Sequence, residues 1–138
     1  MLLLRVQIDL YGDQFNSSEF RKNIKEKFYN DKEEDQDNCM SIECPQRIGI
    51  EYELDHYFEW YVKFIEKYFD DMVLFGTEEI NLMINVFYSD QCNFEMFNRD
   101  MISRLSKFPI AFPISVYETS NKELLEIKSL RKYSVNKS

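Results

Sequence analysis

At 138 residues, with 44% hydrophobic and 16% aromatic content, the chain has the size of one domain and enough apolar area for one core, which excludes intrinsic disorder. The formal charge is −8, and because residues 121–138 carry five basic and two acidic groups, residues 1–120 carry −11. That field repels nucleic-acid phosphates and anionic lipid and steers basic partners inward, so neither nucleic-acid nor membrane binding is expected.

From Leu2 to Leu10 apolar residues alternate with Arg5, Gln7 and Asp9, which predicts a half-buried strand. Tyr11-Gly12-Asp13 turns the chain, and the Asn16/Glu19 pair caps a helix expected from Ser17 to Tyr29 through Phe20, Ile24 and Phe28. Residues 31–38 contain no apolar side chain and read as an exposed loop. Ile48, Ile50, Tyr52 and Leu54 alternate with Gly49, Glu51 and Glu53, predicting a second strand with an acidic outer face. Asp55 is expected to cap a long helix whose aromatic stripe, Tyr57, Tyr61, Phe64 and Tyr68, runs to Asp70-Asp71.

A third strand is expected over Ile80–Tyr88, turned by Ser89-Asp90-Gln91, then an extended piece near Cys92–Met96 and a helix capped by Asn98. Alternation from Ile110 to Tyr117 marks another strand. Pro113 donates no hydrogen bond, which puts this strand at an edge or starts its pairing after the proline. Leu124, Leu125, Ile127 and Leu130 predict a helical tail, fraying over 133–138. The fold class is therefore α+β in the order β-α-β-α-β-(β)-α-β-α, one domain over residues 1–138. Its sheet should be small, mixed or mainly antiparallel, of about four to five strands, with helices mainly on one face.

Few residues offer chemistry. Asp31, Glu33, Asp35 and Asp37 alternate like calcium ligands, but Gln36 stands where the loop needs glycine and Ile42 where it needs a bidentate glutamate. Cys39, Cys44, Cys92 and His56 lack zinc-site spacing, and an odd cysteine count without dense spacing fits a reducing cytoplasm. His56 beside Asp55 and Glu59 has no matching nucleophile. No enzyme activity, cofactor or metal is implied. No window approaches the ~20 apolar residues of a membrane-spanning helix. What stands out is the acidic series Glu33, Glu34, Asp35, Asp37, Glu51, Glu53 and Glu59, which forms one negative, partner-binding surface if the loop folds near the second strand and the helix start.

Three segments carry a resemblance: Leu10-Tyr11-Gly12-Asp13-Gln14-Phe15, the helix Leu54–Phe69, and Ile80–Tyr117. The last holds Phe87-Tyr88-Ser89-Asp90, Asn93-Phe94-Glu95-Met96, Met101-Ile102-Ser103-Arg104-Leu105 and Ile114-Ser115-Val116-Tyr117, in that order. Together these segments resemble the bacterial domain-of-unknown-function family 4279, while residues 31–47 depart from its pattern of Trp and Gly positions. The resemblance implies a small α+β domain, with immunity proteins among its members, and carries over no functional residue. The leading functional expectation is an immunity protein, a monomer or weak dimer, that binds and neutralises a basic toxin domain such as a nuclease. Alternatives are an acidic nucleic-acid mimic that inhibits a defence enzyme, and a small ligand-binding domain with an aromatic pocket near His56.

Overall fold

The computed structural model describes residues 1–31, 35–90 and 92–133. Glu33, Glu34, Gln91 and the tail beyond 133 lie outside the described residues. Among the described residues the fold is α+β: a mixed sheet of six strands and four helices. The alternating N-terminal segment forms β1 (Leu2–Tyr11), which lies at the centre of the sheet and pairs antiparallel along its whole length with β4 (Glu79–Tyr88).

Each outer row of the sheet is broken in two, which is why there are six strands where about four to five were expected. On the free side of β1, β2 (Cys39–Ile42) pairs with Ile8–Tyr11 and β3 (Ile48–Ile50) with Leu3–Arg5. On the free side of β4, β5 (Ile110–Ala111) and β6 (Ile114–Glu118) pair in parallel on either side of the Phe112-Pro113 break. The proline thus interrupts an edge row, as its missing N–H requires.

The helices are α1 (Ser17–Asn23), α2 (Leu54–Leu74), α3 (Arg99–Leu105) and α4 (Asn121–Lys128). Side-chain caps from Asn16, Asn98 and Ser120 accept the first free N–H groups of α1, α3 and α4. Helices α1, α2 and α3 cover one sheet face, where Leu4, Val6, Ile8, Leu82 and Ile84 pack on Phe20, Tyr61, Ile65 and Met101. Helix α4 lies on the other face and buries Leu124 with Leu3, Ile48 and Ile50. Beyond α4 that second face carries mainly polar side chains, with Arg5, Gln7 and Asp9 of β1 opposite Asn85, the apolar Met83 and Asn81 of β4.

Several expectations from the sequence are corrected. Helix α1 stops at Asn23, six residues short of Tyr29: Ile24 and Phe28 keep helical spacing but are buried from irregular, non-helical chain, where the Tyr68 hydroxyl accepts Lys25 N–H and Tyr29 bridges to Glu43. The expected strand through Leu54 ends at Ile50. Residues Glu51–Glu53 form a 3-10 turn and Leu54 already belongs to α2, because its apolar side chain suits the buried stripe of the helix as well as a strand. Asp55 is not the cap but a first-turn residue, favoured there by the positive helix end. The segment Cys92–Met96 forms no strand, whereas Cys39–Ile42, unassigned from sequence, does.

The register explains how the broken row beside β1 is held. Continuing β2 would put Cys44 opposite Val6, but continuing β3 would put Arg47 there, so the chain has three residues too many and Glu43–Arg47 loops out. Val6 would then present an unsatisfied N–H and C=O inside the protein. Two tyrosines of α2 fill the gap. The Tyr57 hydroxyl accepts from Val6 N (2.9 Å) and donates to Arg47 O (2.8 Å); the Tyr61 hydroxyl donates to Val6 O (2.5 Å) and accepts from Cys44 N (2.9 Å). Gly49 leaves room for this insertion, since a Cβ there would stand 2.5 Å from Tyr57 Cδ2.

Replacing Tyr57 or Tyr61 by Phe leaves buried backbone groups without partners and is expected to cost about 2 kcal/mol each. Gly49→Ala is expected to cost about 2 kcal/mol by displacing the Tyr57 ring. Urea denaturation of the three variants checks this, and unchanged midpoints would show that the hydroxyls are dispensable. Burial also raises the Tyr57 and Tyr61 hydroxyls above their ordinary 10.0 and pushes the Cys44 thiol from 9.0 up to about 11. These groups are neutral when folded and ionise more easily when unfolded, so their contribution is complete below about pH 9 and declines as pH rises through about 11. The urea midpoint should fall steadily over that window.

Candidate functional site

Strand β1 brings the two halves of the candidate site together. Leu3 is flanked by Ile50 at the end of β3 and by Phe87 near the end of β4, so both strands leave the sheet at the same end, roughly 10 Å apart. From β3 the chain enters the 3-10 turn and the first turn of α2; from β4 it runs into the irregular segment after Asp90. An open cleft of about 800 Å³ lies between them, lined by Glu51, Tyr52, Glu53, Leu54, Asp55, His56, Asn93, Phe94 and Glu95.

Four carboxylates and the imidazole of His56 line this cleft, and among the described residues no lysine or arginine lines it. Glu53 is joined by Arg131, whose Nη2 donates to Oε2 at 2.9 Å, while Glu51, Asp55 and Glu95 stand exposed. Tyr52 is 75% exposed, which is unusual for an aromatic side chain on a chain that buries so many others. The free N–H groups and dipole of the α2 start offset part of the acidic charge, so the carboxylates can gather there without large mutual repulsion. The arrangement suits a cationic group held between carboxylates and aromatic faces.

The acidic series does not form one surface. Glu51 and Glu53 belong to the cleft. Asp37 is exposed beyond the opposite end of β1, next to the Tyr11–Cys39 pair and eight residues of strand, about 27 Å, from Leu3. Asp35, expected in a solvated loop, is buried: it accepts from Arg21 Nη2 (2.6 Å), Asn30 Nδ2 (2.8 Å) and Ser41 N (3.2 Å). Glu59 ties α3 to α2 by accepting from Arg104 Nη1 at 2.9 Å. Arg104 also grips Glu66 with two nitrogens and holds that carboxyl below the usual carboxylate range. Glu59 is therefore engaged by Arg104 in a structural tie between helices. Glu33 and Glu34 lie outside the described residues.

A second charged cluster, on the half-covered sheet face, has no counterpart in the sequence-based expectations. Arg5 donates to both carboxylate oxygens of Glu43, each at 2.8 Å, and this bond raises the Arg5 pKa. Arg47, at the end of the looped-out segment, lies with its guanidinium carbon 3.8 Å from the Tyr29 ring centroid. The only sequence signal was Arg5 on the polar side of an apolar strand, and Glu43 and Arg47 gave none because their approach depends on the three extra residues in the outer row. Nearby, burial raises the Asp9 pKa against hydrogen bonds from Ser41 and Gln7.

No protein family, curated protein or solved structure matches the chain. Among the described residues no helix is long and apolar enough to cross a membrane.

The different placement of the acidic residues has a measurable consequence. Asp35→Asn strips a buried carboxylate from Arg21 and is expected to lower stability by about 3 kcal/mol, whereas Asp37→Asn, at an exposed position, should change it by less than about 0.5 kcal/mol. Chemical denaturation of the two variants side by side tests the assignment, and equal losses would contradict it.

Proposed function

We propose that the chain is a protein-binding module for a basic partner, and specifically an immunity protein that neutralises a cognate bacterial toxin, a basic nuclease, in the cytoplasm. The observation that carries this reading is the cleft at the α2 start, where Glu51, Asp55 and Glu95 share the lining with the exposed Tyr52 and His56 and, among the described residues, no lysine or arginine joins them. Interfaces concentrate binding energy in a few aromatic and charged anchors, and tyrosine on a rigid helix start is such an anchor. A lysine or arginine of the partner entering the cleft would exchange water for carboxylates and ring faces. The body charge of −11 adds long-range attraction and speeds encounter.

The nucleic-acid mimic draws less support, because mimicry needs carboxylates in rows at phosphate-like spacing. Here the series is divided between the two ends of β1, and Asp35 and Glu59 are occupied by Arg21 and Arg104. The resemblance to the domain-of-unknown-function family 4279 brings no established activity and names no partner, and the proposal does not rest on it.

The test is co-expression with the product of the neighbouring reading frame. The wild-type chain should co-purify with that product and protect cells from it. Glu51→Lys/Glu95→Lys and Tyr52→Ala should each weaken binding about tenfold or more while leaving the denaturation midpoint in place. Binding of the wild-type complex should also weaken steeply with salt. Retention of full affinity in both variants would remove the cleft from the interface, and a non-toxic, non-binding neighbour would remove the immunity role.

A further inference from the structure

We propose that the pocket of about 210 Å³ on the part of the sheet face that no described helix covers binds a small carboxylate carrying a hydroxyl or amino group, with Arg47 as the group that receives the carboxylate. The site lies on the other face from α2 and is independent of the acidic cleft.

The first observation is an unspent guanidinium. Arg47 is only 8% exposed, yet among the described residues its guanidinium makes no hydrogen bond, and its Nε is wholly buried without a partner. Its Nε forms an ion pair with Glu43 at 3.7 Å, too long for a hydrogen bond, and both oxygens of that carboxylate already accept from Arg5. A buried guanidinium nitrogen without a hydrogen bond is costly, and the planar guanidinium fork matches a carboxylate with two parallel hydrogen bonds. Stacking on Tyr29 holds the plane of Arg47 in one orientation without consuming a donor.

The second observation is backbone strain at the same residue. Arg47 has φ +50°, a left-handed conformation that a long side chain rarely adopts. It is held there by its own N–H, which donates to Cys44 O at 2.8 Å, and by its carbonyl, which accepts from Tyr57. The core tyrosines thus fix the position of the strained residue, and strain retained in this way concentrates at ligand clamps.

The rest of the lining decides the kind of ligand. Gln7 and Ser41 supply neutral polar groups, and Asp31 and Glu43 supply negative charge. One guanidinium that is ion-paired but not hydrogen-bonded suits a single carboxylate rather than a divalent phosphate, and the neighbouring Glu43 carboxylate favours a donor-bearing substituent on it. The volume suits a molecule of a few heavy atoms, of hydroxy-acid or amino-acid size.

The experiment is a titration of the full ¹⁵N-labelled chain with L-lactate, L-serine, acetate and inorganic phosphate at constant ionic strength, followed by amide shifts. Lactate or serine should saturate, with shifts centred on Arg5, Ser41 and Arg47, and acetate should bind more weakly. Arg47→Asn, which tolerates the left-handed backbone, should weaken the saturating ligand about tenfold or more, and Arg47→Lys should fall between. Preferred binding of phosphate, no saturation by either ligand at tens of millimolar, or equal affinity in Arg47→Asn would overturn the proposal. Because the first two outcomes are read on the wild-type chain, instability of a variant does not protect the idea.

Discussion

The constraint on which the rest of the structure depends is the pair of buried tyrosine hydroxyls at Val6. A central strand cannot leave its N–H and C=O unpaired in the interior, where the loss costs about 1–3 kcal/mol per group. The outer row beside β1 nevertheless carries three surplus residues opposite that position. Tyr57 and Tyr61 resolve the conflict by each bridging β1 to the looped-out segment with one hydroxyl. Their rings stand 5.4 Å apart and belong to the same core as the sheet, so the helix, the sheet and the loop are locked by one contact. Gly49 permits the approach, and burial keeps both hydroxyls neutral.

That lock also positions both charged regions. It anchors the start of α2, and with it the turn that carries Glu51, Tyr52 and Glu53 toward Glu95. On the opposite side it holds the carbonyl of Arg47 and the N–H of Cys44, and so presents Glu43 and Arg47 beside Arg5. The two regions differ in chemistry. The cleft is wide, acidic and exposed, as suits a protein partner, whereas the sheet-face pocket is small, with paired charges and one underused guanidinium, as suits a small molecule.

The acidic residues illustrate why charge in a sequence is a poor guide to surface. Asp35 and Glu59 look like any other carboxylate in the chain, but each is consumed by an arginine distant in sequence, Arg21 for the first and Arg104 for the second. A carboxylate paired at partial burial contributes to the fold rather than to the outward field. The exposed carboxylates of the cleft, Glu51, Asp55 and Glu95, are gathered by strand register, and Asp55 and Glu95 carry no partner-binding signal in the sequence.

Sequence alone determined the elements whose pattern is local. Strict alternation placed β1 and β4, helical aromatic spacing placed α2, and the asparagines at positions 16 and 98 marked two helix starts through their caps. It also located the edge row interrupted by Pro113 and the α+β class. Only the tertiary structure decided the outcomes where two local patterns competed: Leu54 fits strand and helix alike, and Ile24 and Phe28 keep helical spacing while lying in non-helical chain held by Tyr68 and Glu43. The four residues of β2 are too few to show a period, and their pairing depends on β1. The candidate sites were legible only in fragments, Glu51 and Glu53 in one and Arg5 in the other. Their remaining members come from segments far apart in sequence, brought together by hydrogen-bond register, a property of two strands at once that no single stretch of chain encodes.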